Sequence, residues 1–302
     1  MEEAKSTDVV QMHRRLTEVV NVAQMPLRSP FRYPGGKTWA IPRVRQWLRS
    51  LPSRPRTLIE PFAGGAIIGL TVAFEQLADN VVLVELDDDV ASVWKTILNG
   101  DGNWLVEQIA GFQMSRDAVR RLHEKADKSI RDRALVTVVQ NRINRGGILA
   151  PGAGKMKNGE NGNGLKSRWY PETLCRRIGE IIRHKDRIKF VHGDGFEIME
   201  RSLAAPETAY FIDPPYTVAG RRLYLHSDVD HELLFNLASM ARGPFLMTYD
   251  HSREILSLAE HHDFELAEVA MKTSHHRQKM ELFISRDLSW IHDAKLPIET
   301  TS

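Results

Sequence analysis

Asp213-Pro214-Pro215-Tyr216 directly follows the apolar run AYFI, which puts an acid, two prolines and an aromatic ring at the carboxyl end of a predicted strand. In an open α/β sheet, ligands lie in the crevice beyond the carboxyl ends of strands. The residue types suit one chemical problem. An amine on an aromatic ring shares its lone pair with the ring and is a poor nucleophile until acceptors hold and polarise its hydrogens. The Asp213 carboxylate and the Pro214 carbonyl supply two such acceptors, and proline's fixed φ keeps the carbonyl directed. Tyr216 offers a flat face on which a heterocycle can stack, and a π-face beside a cationic donor is favourable. Asp213, Pro214 and Tyr216 are the candidate catalytic residues.

Two further motifs sit at strand ends. Glu60-Pro61-Phe62-Ala63-Gly64-Gly65 stands between a predicted strand and a helix, where glycine lets backbone approach a ligand and the helix amino terminus adds positive charge. It is not the dinucleotide fingerprint, because no G-x-G-x-x-G register fits Gly64, Gly65 and Gly69. The next strand ends in Glu85-Leu86-Asp87, about 20 residues on, the placement expected of a carboxylate that accepts from ribose hydroxyls. Glu85 is preferred, with Asp87 second. Tyr33-Pro34-Gly35-Gly36-Lys37 is not a phosphate loop, since Phe31 occupies the position of its first glycine. The pairs His261-His262 and His275-His276 lack ligand spacing, and no metal is expected.

The elements that must carry these motifs alternate. TLIE (57–60), VVLVEL (81–86), RIKFV (187–191), AYFID (209–213) and FLMTY (245–249) read as strands separated by helices, which argues for a parallel sheet covered on both faces. FELAEVAMK (264–272) and KMELFIS (279–285), joined by the polar turn TSHHRQ, read as an antiparallel hairpin, so the sheet is mixed. Between the two alternating blocks the sequence is helical by period, then Gly- and Asn-rich over 145–164, then helical again from about Pro171. Residues 116–190 hold 19 Lys or Arg against 8 Asp or Glu, a net of +11 in a chain whose total is +2. A basic segment within an acidic chain points to a polyanion, because neutralising phosphates releases counterions.

The expected organisation is an extension over 1–25, a catalytic domain from 26–100 and 187–290, an insert over 101–186 and a tail over 291–302. The lone Cys175 cannot form an internal disulfide. No stretch has the roughly 20 apolar residues of a membrane span, and the amino terminus lacks a secretory apolar run, so a cytoplasmic location is expected.

Taken in this order, the motifs resemble the Dam-type family of DNA adenine-N6 methyltransferases over residues 31 to about 286. The resemblance implies S-adenosylmethionine as cofactor, double-stranded DNA as substrate, and a Rossmann-like methyltransferase fold: an α/β mixed seven-stranded sheet with a helical DNA-recognition insert. It carries cofactor contacts onto Tyr33, Lys37, Glu60, Phe62, Gly64, Glu85, Asp194 and Asp213, the last also in the catalytic tetrad. Glu85 stands where the family usually has aspartate, and Asp194 lies in His192-Gly193-Asp194-Gly195-Phe196, the stretch near the cofactor's adenine. Arg142-Ile143-Asn144-Arg145 followed by Gly146-Gly147 resembles the family's DNA-entering hairpin, which makes Arg142, Asn144 and Arg145 candidate base contacts. Ile148-Leu149-Ala150-Pro151 replaces the family's Phe-Asn-Val-Pro, which leaves the target sequence open. Cytosine N4 poses the same amine problem as adenine N6. RNA as substrate and a catalytically silent DNA-binding relative are the other readings.

Overall fold

The computed structural model describes residues 14–16, 19–32, 35–125, 129–156, 163–215, 229–272 and 278–291. Among them, eight strands form one sheet: β1 (Arg14–Leu16), β2 (Thr57–Glu60), β3 (Asn80–Glu85), β4 (Ile188–His192), β5 (Thr208–Ile212), β6 (Phe245–Asp250), β7 (Glu265–Lys272) and β8 (Gln278–Ser285). Their order is β1-β7-β8-β6-β5-β2-β3-β4. Strands β2 to β6 run parallel, and β8 runs antiparallel to both β6 and β7. The expected hairpin is therefore present, although its turn and His275-His276 lie outside the described residues. The count of seven strands is corrected to eight. Arg14–Leu16, assigned by sequence to an extension outside the domain, pairs parallel to β7 and buries Leu16.

Alternation of side chains splits the strands between two apolar layers. Leu58, Leu83, Phe211 and Leu246 face one layer, while Ile59, Val84, Tyr210, Ile212, Phe245 and Met247 face the other. With both faces covered, the parallel strands read as continuous apolar runs. The first layer is closed by α1 (Ile41–Ser50), α2 (Ile67–Phe74) and α3 (Asp88–Leu98), and the second by α8 (Gly195–Ser202), α9 (His231–Met240) and α10 (Arg253–His261).

The segment between β3 and β4 supplies α4 (Gly102–Gly111), α5 (Arg116–Lys125), α6 (Ile130–Ile143) and α7 (Pro171–Arg183). Helix α6 packs along α3 and α4 packs on α7, so these helices share the first apolar layer. Cys175 on α7 is half-buried, with its thiol donating to the Val106 carbonyl, and burial pushes that thiol up. No helix among the described residues is long and apolar enough to cross a membrane.

Candidate active site

The chain leaves β2 toward β3 and β4 on one side, then returns to β5 and β6 on the other, so strand order reverses between the neighbours β2 and β5. Such a switch point opens a crevice at the carboxyl ends of the strands. Glu60 ends β2, Asp213 follows β5 and Glu85 ends β3, which brings three of the expected acids to one edge.

Asp213 is held from two elements. Lys37 Nζ lies 2.9 Å from Asp213 Oδ1 and Thr248 Oγ1 donates to the same oxygen at 2.7 Å. Both described contacts thus fall on Oδ1, and the Asp213 side chain keeps 21% exposure. Thr248 is positioned by register: Ile212 pairs with Met247, so the next residue on each strand stands side by side. Lys37 is buried, donates to the Gly35 carbonyl at 2.9 Å and lies 3.8 Å from Glu281 Oε2. Burial alone would depress its ammonium; Asp213, Glu281 and Glu60 together push it above its ordinary value.

Glu60 is buried, and its Oε2 accepts from Gly69 N at 2.8 Å. Gly69 is in the first turn of α2, whose N–H groups have no helical partner. The strand's last acid therefore caps the next helix. A Cβ at Gly69 would come within 2.6 Å of that oxygen, which accounts for the glycine. Burial raises the Glu60 carboxyl well above its usual range, the Gly69 N–H opposing and Asp213 adding to the effect.

Glu85 links two turns. Its Oε2 accepts from Gly64 N at 2.9 Å and its Oε1 accepts from the Leu86 and Asp87 N–H groups, each at 2.9 Å. Burial pushes its carboxyl up to about 7 against the pull of these donors. Asp87, the second choice for the ribose carboxylate, caps α3 through Asp89 N and Val90 N. Gly64 adopts φ +47° and its carbonyl accepts from Trp94 Nε1 at 2.9 Å, which fixes the glycine turn against α3. Asp194 caps α8 by accepting from Phe196 N at 2.8 Å, and Phe196 meets Phe62 edge-on at 5.8 Å. A Cβ at Gly195 would come within 2.3 Å of the Pro61 carbonyl, so the turns after β2 and β4 close on each other only through glycine.

These residues match the donor set of S-adenosylmethionine. With that cofactor bound, Glu85 would offer an acceptor for ribose hydroxyls, Phe62 and Phe196 an aromatic wall, and Asp213 and Glu60 carboxyl groups for the cationic end. Pro214 is buried beside Asp213. Tyr33 and Tyr216 lie outside the described residues.

Of the three hairpin residues expected at DNA bases, two are turned inward. Arg142 is 5% and Asn144 is 8% exposed. An Arg142 Nη2 donor goes to the Pro30 carbonyl and Asn144 Nδ2 donates to the Ile148 carbonyl at 2.7 Å. Their donors tie the hairpin to the chain, and Arg145 alone of the three is exposed. Thr248 and Glu281 escaped the sequence reading. Their signal is a single polar residue inside an otherwise apolar strand, FLMTY and MELFI. A cavity of about 580 Å³ between α5 and the hairpin, lined by Val119, His123, Ile143, Lys155 and Met156 among others, includes none of the site residues.

Residues 33–275 match the family described as D12 class N6 adenine-specific DNA methyltransferase. No curated protein matches the chain. Among solved structures, the chain is similar to the rRNA methyltransferase AviRa of Streptomyces viridochromogenes, at 14% identity over 89% of this chain and 94% of that one, with a TM-score of 0.39. It is also similar to precorrin-6y C5,15-methyltransferase of Geobacter metallireducens, at 8% identity over 82% and 86%, with a TM-score of 0.32. Overlaps this loose leave the assignment to the family match. Because that match takes in well over half of the sequence, both glycine turns and the acid-proline turn, the chain belongs to the D12 class of N6 adenine-specific DNA methyltransferases, which use S-adenosylmethionine.

Proposed function

We propose that the protein is a site-specific enzyme that extrudes an adenine from double-stranded DNA and presents its N6 to Asp213. The observation that carries this reading is the double hold on Asp213 Oδ1, by Lys37 at 2.9 Å and Thr248 at 2.7 Å. A carboxylate fixed through one oxygen has its other oxygen directed, and Oδ2 is the atom assigned to accept from the N6 amine. The Pro214 carbonyl accepts the second N–H, and Tyr216 stacks on the base. Extrusion costs a few kcal/mol, and fixing the acceptors in advance avoids their reorganisation during reaction. S-adenosylmethionine supplies an electrophilic methyl group. Methylation at N6 releases one proton, and the Asp213 carboxylate, hydrogen-bonded to that N–H, is placed to take it.

Glu85 holds the ribose hydroxyls, Asp194 and Phe62 border the adenine end, and Glu60, Gly64, Lys37 and Tyr33 line the methionine end. Lys37 also keeps Asp213 oriented. Helices α4 to α7 with the hairpin, within 101–186, form the recognition insert; 26–100 with 187–290 form the catalytic domain. In the insert, Arg145 is the exposed hairpin cation assigned to a base edge, while Arg142 and Asn144 hold the hairpin's shape. The working location is the cytoplasm, where the DNA substrate is.

The test is mass spectrometry of nucleosides from duplex DNA incubated with the protein and methyl-labelled S-adenosylmethionine. Label in N6-methyldeoxyadenosine is expected. Label in N4-methyldeoxycytidine, or in RNA in preference to DNA, would overturn the reading.

A further inference from the structure

The turn that carries Lys37 is gripped twice by β8. Glu281 and Phe283 are alternate residues of that strand, so they point to one face of the sheet. Phe283 packs against Trp39 with ring centroids 5.4 Å apart, and Glu281 Oε2 lies 3.8 Å from Lys37 Nζ. Lys37 and Trp39, also two residues apart, thus meet Glu281 and Phe283 in step. Register sets this grip beside the catalytic carboxylate. Phe283 stands across from Thr248, whose hydroxyl donates to Asp213 Oδ1, and Glu281 stands across from Asp250 of β6.

A carboxyl group is costly at this place. Glu281 interrupts the apolar run MELFI, in a strand paired on both sides by β6 and β7, and is 4% exposed. Burying a carboxylate is unfavourable unless cations compensate it. Lys37 Nζ faces Oε2, and the exposed Lys279 Nζ lies 3.6 Å from Oε1. The deeper cation, Lys37, serves two carboxylates at once, since it also lies 2.9 Å from Asp213 Oδ1. An ammonium is a point charge with three donors on a flexible stem, and it takes its direction from what surrounds it. The Gly35 carbonyl accepts from Lys37 at 2.9 Å, and Glu281 supplies a charged restraint from a second element. Against the effect of burial, Asp213 at the end of β5, Glu281 on β8 and Glu60 at the end of β2 all raise the Lys37 ammonium.

We propose that Glu281 is a positioning residue for methyl transfer, which holds Lys37 from β8 so that the ammonium stays on Asp213 Oδ1 and leaves Oδ2 for the N6 amine. The proposal rests on the DNA-methylating reading above. Glu281 acts through Lys37, not on the base or the donor. Its charge therefore matters more than its shape. A Lys37 that has lost its proton no longer pairs with Asp213 as a cation, so transfer falls on the alkaline side. Removing the Glu281 charge moves that fall to lower pH.

The test compares Glu281→Gln, which keeps the size and loses the charge, with Glu281→Asp, which keeps the charge on a stem one methylene shorter. A role in packing alone ranks Gln above Asp, and a role through Lys37 ranks Asp above Gln. Two readouts are taken on the full chain. One is single-turnover methyl transfer to duplex DNA across pH, with cofactor and DNA affinities measured separately. The other is the titration of Lys37 in the cofactor-free protein, followed by NMR of lysine labelled with carbon-13 at Cε, its signal identified by its loss in Lys37→Gln. Glu281→Gln is expected to lower kcat by about tenfold or more, toward the roughly hundredfold that a misplacement of about 1 Å costs. It is also expected to move both the alkaline fall in rate and the Lys37 titration to lower pH, and Glu281→Asp to recover both in part. If melting shows Glu281→Gln to be unfolded, Glu281→Asp decides: transfer with a Lys37 titration near that of wild type supports the role, and lost transfer with that same titration overturns it. Wild-type transfer and titration in Glu281→Gln, or Gln outperforming Asp, overturns the role and leaves the functional reading intact. If the wild type transfers no methyl to duplex DNA, the functional reading falls and takes this role with it.

Discussion

Thr248→Val isolates the orienting of the catalytic carboxylate from its charge. The side chain is fully buried, and valine matches threonine in shape while removing the hydroxyl that donates to Asp213 Oδ1 at 2.7 Å. Lys37 still meets the same oxygen at 2.9 Å, so the carboxylate stays paired but loses one of its two described restraints. A hydrogen bond to a charged group contributes about 1.5–3 kcal/mol. If that contribution is expressed in the transition state, kcat falls by about ten- to a hundredfold, at 1.36 kcal/mol for each tenfold. The assay is single-turnover methyl transfer to duplex DNA at saturating cofactor, with cofactor and DNA affinities measured separately. The expected pattern is a loss in kcat with both affinities near wild type, and recovery in Thr248→Ser. A kcat within about twofold of wild type, below the roughly tenfold that 1.36 kcal/mol implies, would refute the positioning argument.

Other consequences follow from the glycine turns and from Glu85. Glu85 has its carboxyl raised from 4.5 to about 7, so wild-type folding stability is lost as pH rises between those values, because the folded state holds the proton more tightly. Glu85→Gln is expected to melt higher than wild type at about pH 8, with the advantage gone below about pH 4.5; a pH-independent difference in calorimetry would argue against the buried charge. The same titration makes wild-type cofactor affinity fall as pH drops through about 7, a trend absent in Glu85→Gln when followed by isothermal titration. Gly195→Ala pushes a methyl to within 2.3 Å of the Pro61 carbonyl, so a loss of about 1–3 kcal/mol in denaturant unfolding is expected together with weaker cofactor binding. Gly179→Ala on α7 meets nothing within 4 Å and serves as control, expected to be neutral or stabilising by up to about 1 kcal/mol.

The central strands were legible because each is a short β-branched or aromatic run ending in an acid or a turn, and burial on both faces leaves no alternation to blur it. Arg14–Leu16 was not legible: three residues, one of them apolar, make a strand only because β7 offers its edge. At the site, Glu60, Glu85 and Asp213 were readable since each ends a strand and their meeting follows from strand order alone. Thr248 and Glu281 come from β6 and β8, and a single polar residue in an apolar run has no local pattern; its meaning lies in the register with Asp213 and in the reach of Lys37. Arg142 and Asn144 were singled out by their resemblance to the family's hairpin, and nothing local in the sequence signals that both are buried. Arg142 is tied to the Ser29–Arg32 stretch, which lies more than a hundred residues away in the chain, while Asn144 is tied to the Ile148 carbonyl within the hairpin.

Asp213→Asn puts the central claim to its most direct test. The isosteric amide can still accept from Lys37 and Thr248 through its one oxygen, while a donor replaces the oxygen assigned to the N6 amine. Single-turnover transfer to duplex DNA is expected to drop by at least about a hundredfold, the cost of roughly 3 kcal/mol at 1.36 kcal/mol per tenfold, with the cofactor still bound and the melting temperature preserved. Transfer at the wild-type rate in this variant would contradict the account.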